Sequence, residues 1–113
     1  MTIHQEIYNR LIEVAKSSDL ITYGEIAPLA GLILENPAHR NILSDILGEI
    51  STYELENNRP MLSSIVVHSD DRLPGEGFFN LARFLGEYNG QGEIADMEFF
   101  VEQVKKVHSY WQS

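Results

Sequence analysis

The residues best equipped for chemistry lie close together: His68, Ser69, Asp70 and Asp71, with Glu76 a few positions on. An imidazole among carboxylates can take and return protons near neutral pH, or offer ligands to a divalent cation. His68, Asp70 and Asp71 are therefore the acid/base and metal candidates, and with them comes a hydrolase reading. The same residue types also build ordinary turns, since Asp side chains hydrogen-bond backbone amides just ahead of them. Ser63, Ser64 and Ser69 lack the Gly-x-Ser-x-Gly setting that exposes a nucleophilic serine. With no cysteine in the chain, thiolate metal sites, disulfides and a cysteine nucleophile are excluded. No metal or cofactor is expected.

A second candidate follows directly, the loop Leu73-Pro74-Gly75-Glu76-Gly77. Proline stiffens its entry and the glycines permit close backbone approach. Free amides where a helix begins could hold an anion or a partner's carboxylate, with Arg72 and Arg83 assisting. A phosphate loop would need Gly-Lys-Ser/Thr or Gly-x-Gly-x-x-Gly, and neither occurs. The segment reads first as a strand-to-helix corner whose Phe78 and Phe79 plug the core. Asp70, Asp71, Arg72, Pro74, Gly75, Glu76 and Gly77 form the candidate interaction loop on that corner.

Periodicity supplies the elements that position these groups. Ile3, Ile7, Tyr8, Leu11, Val14 and Ala15 predict an amphipathic helix over about 3–17. Thr22 and Glu25 form a capping box ahead of a helix that Pro28 and Gly31 keep short. Asn36-Pro37 starts a helix over about 37–57, with Ile42, Leu43, Ile46, Leu47, Ile50 and Tyr53 as its apolar stripe. Residues 61–68, with Ile65, Val66 and Val67, read as a strand that pairs either with 20–22 or with a second chain. Helices over about 78–86 and 94–111 complete the chain, the last carrying Met97, Phe100, Val101, Val104, Val107 and Trp111 on one side. Tyr110 and Trp111 are expected to pack it onto the first helix. The fold class is mainly α (α+β), a single domain over 1–113 with a helix-turn-helix-like N-terminal half and a short β element around 61–68.

Residues 21–32, ITYGEIAPLAGL, resemble the helix-turn-helix entry of alkyltransferase-like DNA-repair proteins. Pro37-Ala38-His39-Arg40 is similar to that family's proline-x-histidine-arginine signature. The resemblance implies DNA binding without alkyl transfer, because Ala38 stands where true transferases carry cysteine. Here only Ile33-Leu34-Glu35-Asn36 separate Leu32 from Pro37, where the family has a complete recognition helix. On a winged-helix layout the helix from 37 would enter the major groove, offering His39, Arg40, Asn41 and Ser44 to base edges. Asp45, Glu49, Glu54 and Glu56 follow and would repel phosphates. Residues 59–86 also look similar to small bacterial proteins with an arginine-proline…valine strand before a proline-glycine-x-glycine-phenylalanine turn.

Charge weighs among these readings. Seventeen Asp and Glu against eight Lys and Arg leave a formal charge of −9 across 113 residues, 43% of them apolar. Nucleic-acid binding rests on clustered cations, and only Lys105-Lys106 are adjacent here. No apolar run approaches the roughly 18–20 residues that span a bilayer. The N-terminus lacks a basic start and apolar block, so a cytoplasmic protein is expected. The sequence therefore favours an acidic, non-enzymatic binding or regulatory module with a protein partner, and the negative charge suits a basic one. A homodimer through the lone strand is the further expectation.

Overall fold

The computed structural model describes residues 3–112. Helix α1 spans Gln5–Lys16. His4 precedes it, its Nδ1 accepting the Ile7 amide at 3.2 Å. Ile7, Leu11, Val14 and Ala15 recur at helical spacing and all face inward. Ser18, at φ 54°, turns the chain out of the helix. Strand β1, Ile21–Thr22, runs straight into the one-turn helix α2, Tyr23–Ile26. Thr22 Oγ1 accepts the Glu25 amide at 3.2 Å, and the Glu25 carboxylate accepts the Thr22 amide in return. That is the reciprocal cap expected from the two residue types. A 3-10 turn, Ala27–Ala30, then carries Pro28 to Gly31, whose φ of 69° ends it.

Helix α3 covers Pro37–Glu56, with Asn36 Oδ1 accepting the Ala38 amide at 2.9 Å. Its inward face is Leu43, Leu47, Ile50, Ser51 and Glu54. Ile42, expected in the stripe, is instead exposed, because the helix buries a narrower arc than the sequence draws. The buried Glu54 is the unexpected member. Its carboxylate takes Arg59 Nε at 2.8 Å, Arg59 Nη2 at 3.1 Å and Tyr8 Oη at 2.7 Å. A carboxylate with no solvent exposure needs such partners. The cluster clamps the turn after α3 onto α1.

The expected strand over 61–68 is corrected. Residues Leu62–Ile65 form a 3-10 turn, and only Val66–Val67 make strand β2. A fully buried apolar run does not declare its period, so pattern alone cannot separate these states. The backbone there finds partners off any sheet: Ser51 Oγ accepts the Ser63 amide and Gln103 Oε1 accepts that of Met61. β2 pairs in parallel with β1, Ile21 opposite Val66 and Thr22 opposite Val67. The strand's partner is thus within the chain, which removes the reason for dimerisation by strand pairing.

Helix α4 spans Glu76–Phe84 and begins two residues earlier than the pattern predicts, with Gly75 at its N-cap. Helix α5 spans Glu93–Gln112. It buries Phe99, Phe100, Gln103 and Val107, while Met97 and Val101 of the expected stripe face solvent. Trp111 packs against the core built around Ile7 and Leu11, and Tyr110 is exposed beside it. A second cluster, Met61, Phe78, Ala82 and Phe99, seats α4 against α5. Tyr88 stacks on Phe99 at 4.4 Å, and Arg83 pairs with Asp96 at 3.1 Å to close that end. The architecture is a mainly helical α+β fold with a two-stranded parallel sheet. No described helix is long and apolar enough to cross a membrane.

Candidate functional site

Between α3 and the corner that leads into α4 lies a cleft of about 960 Å³. Its apolar surface comes from Leu34, Leu43, Leu47, Phe78 and Leu81, and its polar rim includes Arg40, Ser44, Asp45, Glu49 and His68. The size and the mixture of an apolar lining with a few polar groups are those of ligand sites in general. Local sequence explains the opening. Arg40, Ser44, Gly48 and Thr52 recur every four residues along α3, so they form one row on its surface. The row's small members let α4 come close: a Cβ at Gly77 would lie 3.2 Å from Ser44 Oγ, and one at Gly48 would lie 3.7 Å from Leu81.

Tyr23 fixes the far wall. Its hydroxyl accepts the Gly75 amide at 2.9 Å across 52 residues of chain, and its ring lies 4.7 Å from that of His68. Burial pushes the Tyr23 phenol above its usual range; donation from Gly75 opposes this and the Asp71 charge adds to it. A Cβ on Gly75 would meet both Tyr23 Oη and His68 Nε2 at 3.5 Å, so this residue sits where three segments converge. The amide once open to an anion is taken by Tyr23.

The loop candidates divide into two groups. His68, Gly75 and Gly77 line the cleft, whereas Pro74 is buried and does not line it. Asp70, Asp71 and Arg72 stand outside as an exposed knob, Arg72 at φ 58°. The knob closes on itself: the His68 amide donates to Leu73 O at 2.9 Å and the Arg72 amide to His68 O at 3.0 Å. Asp70 Oδ1 accepts the Asp71 amide and Asp71 Oδ1 that of Leu73. Both carboxylates thus act as turn formers, and His68 meets a tyrosine ring rather than an acid. Among the described residues no three His, Asp or Glu side chains converge as metal ligands.

The four groups placed against DNA by the helix-turn-helix reading also separate. His39 Nδ1 accepts the Ile33 amide at 3.0 Å, and Arg40 Nη1 donates to Leu34 O at 2.9 Å. Those two hold the loop that enters α3. Asn41 is exposed off the cleft, whereas Arg40 and Ser44 line it. The two candidate regions found in the sequence, 37–44 and 68–77, therefore face one another across a single site. Tyr23, Leu34, Asp45, Glu49 and Leu81 complete that site without having been assigned to one. The four-residue row on α3 was a signal for Gly48 and Thr52, and no local pattern marked the other five.

Fold and cleft together place the chain in a class: a small, mainly helical α+β domain with a preformed, partly apolar cleft. No protein family and no solved structure matches it. It is similar to an uncharacterised 37 kDa protein of Mirafiori lettuce virus (isolate Lettuce/Netherlands/LS301-O), 26% identical over 108 residues. The match covers 92% of this chain and 33% of the viral protein, so the chain spans about a third of that relative's length. This relative is viral, whereas the Pro-Gly-x-Gly-Phe turn led to an expectation of bacterial relatives.

Proposed function

We propose that the chain is an acidic, non-enzymatic binding module of the cytoplasm that receives a segment of a protein partner in the cleft between α3 and α4. An apolar partner side chain enters between Leu43, Leu47 and Leu81, and a flanking lysine or arginine meets Asp45 and Glu49. The observation that carries this reading is the cleft itself, about 960 Å³ with an apolar lining and two exposed acids on its rim. The formal charge of −9 favours a basic partner through long-range attraction. Two further points support binding over catalysis. The Tyr23 hydroxyl and Arg40 guanidinium hold backbone groups in place, and the Asp70 and Asp71 carboxylates are engaged within their own turn. The exposed Glu76 extends the acidic surface from the cleft toward the knob.

Selection of a random peptide library on the immobilised chain tests this. Enriched peptides are expected to join an aliphatic or aromatic residue to Lys or Arg. They should lose at least tenfold in affinity to Ser44→Phe, which fills the rim, and to Asp45→Lys/Glu49→Lys. No enrichment, or binding that both variants retain, would overturn the proposal. Duplex DNA is the control for the alkyltransferase-like resemblance: binding that falls steeply with salt and disappears in Arg40→Ala would favour that reading instead.

A further inference from the structure

The outward face of α5 carries a pattern that the fold does not use. Ile94, Met97 and Val101, at spacings of three and four, are 79%, 43% and 39% exposed. Apolar residues aligned on one helix face and left to water mark a contact surface. Glu98 and Lys105 lie along the same face, both exposed and seven residues apart, hence about 10.5 Å along the axis. Their neighbours Glu102 and Lys106 pair within the helix at 3.1 Å, whereas Glu98 and Lys105 enter no ion pair among the described residues. The face is therefore acidic toward its N-terminal half and basic toward its C-terminal half, around a central valine.

That arrangement is complementary to itself when reversed. We propose that two copies of the chain associate through antiparallel α5 helices related by a two-fold axis between Val101 and Glu102. Each Glu98 then faces Lys105 of the other copy, twice over, as an isologous interface requires. The two Val101 side chains meet beside the axis. Ile94 of each copy comes level with Ser109 of the other, at the mouth of a shallow groove lined by Pro60, Glu102, Lys105, Lys106, Ser109 and Tyr110. A parallel pairing would instead set Glu98 beside Glu98 and Lys105 beside Lys105. None of these residues lines the cleft, so the proposal stands or falls apart from the peptide-binding reading.

Light scattering and sedimentation across a concentration series give the first readout. The wild-type mass should rise from 12.9 kDa toward twice that value. Glu98→Lys and Lys105→Glu should each raise the dissociation constant about tenfold, since each replaces two attractions by two repulsions. The double swap Glu98→Lys/Lys105→Glu should return to within about threefold of wild type. The absence of native cysteine allows a clean cross-linking test. Val101→Cys should form a disulfide dimer quickly under mild oxidant. Ile94→Cys should not, because fifteen residues of helix, about 22 Å, separate the two copies of Ile94 in this register. All these positions are exposed, so an unchanged circular dichroism spectrum is expected. A monomer at every concentration, equal cross-linking at both sites, or a charge swap without rescue would each overturn the proposal.

Discussion

Replacing Tyr23 by phenylalanine isolates the contact that shapes the cleft. The hydroxyl accepts the Gly75 amide at 2.9 Å, and the ring packs 4.7 Å from His68. Phenylalanine keeps the ring and removes only the acceptor. The Gly75 amide is then left without a partner in a half-buried position, which costs about 1–2 kcal/mol. Tyr23→Ala removes the ring as well and should cost roughly 2–4 kcal/mol, below the value for a fully buried aromatic. For a domain of this size, the phenylalanine variant should lower Tm by roughly 5 °C. Urea titration gives the free energies, and amide hydrogen exchange followed by NMR gives the location. The Gly75 amide should exchange faster in Tyr23→Phe while core amides such as Leu11 slow or hasten only with global stability. A variant within about 0.3 kcal/mol of wild type, with Gly75 exchange unchanged, would refute the claim that this bond sets the corner.

Two other perturbations follow from the buried carboxylate and the phenols. Arg59→Ala strands the Glu54 charge, which has no solvent exposure, and should destabilise the protein by about 3–5 kcal/mol in urea titration. Arg59→Ala/Glu54→Gln should recover more than half of that loss, because no unpaired charge remains. On the alkaline side, burial and the hydrogen bond to Glu54 push the Tyr8 phenol above its usual 10.0, and burial raises Tyr23 likewise. A phenol whose folded-state value is raised contributes stability that is intact below pH about 10 and lost as the pH climbs from there toward the folded value. Unfolding free energy should therefore decline above pH 10, and the decline should be shallower in Tyr8→Phe. Equal slopes would remove Tyr8 from the account.

What the sequence reveals follows from where local rules decide. Asn36-Pro37, Thr22 with Glu25, and Gly31 announce their caps because the hydrogen bonds close within a few residues. Residues 62–65 do not announce a 3-10 turn, since Ser51 and Gln103, which accept the Ser63 and Met61 amides, are 12 and 42 residues away in sequence. The Met97–Val101 stripe misleads for a related reason. Both sides of α5 carry apolar residues, and only its seating on Met61 and Phe78 decides that Phe99 goes in while Met97 and Val101 stay out. Glu54 was readable in principle, falling four residues after Ile50 on the buried phase of α3, just ahead of Arg59. The candidate site was half legible. Sequence marked 37–44 and 68–77 separately, and only the fold brings Arg40 and Ser44 opposite His68 and Gly77.

The most direct test of the central claim is an NMR titration of the ¹⁵N-labelled chain with a library-selected basic, apolar peptide. Binding in the cleft predicts saturable shifts clustered at Ser44, Gly48, Gly75, Gly77 and Leu81, lost in Ser44→Phe. Shifts confined to the 70–72 knob or to α5, with Ser44 and Gly77 unmoved, would contradict it.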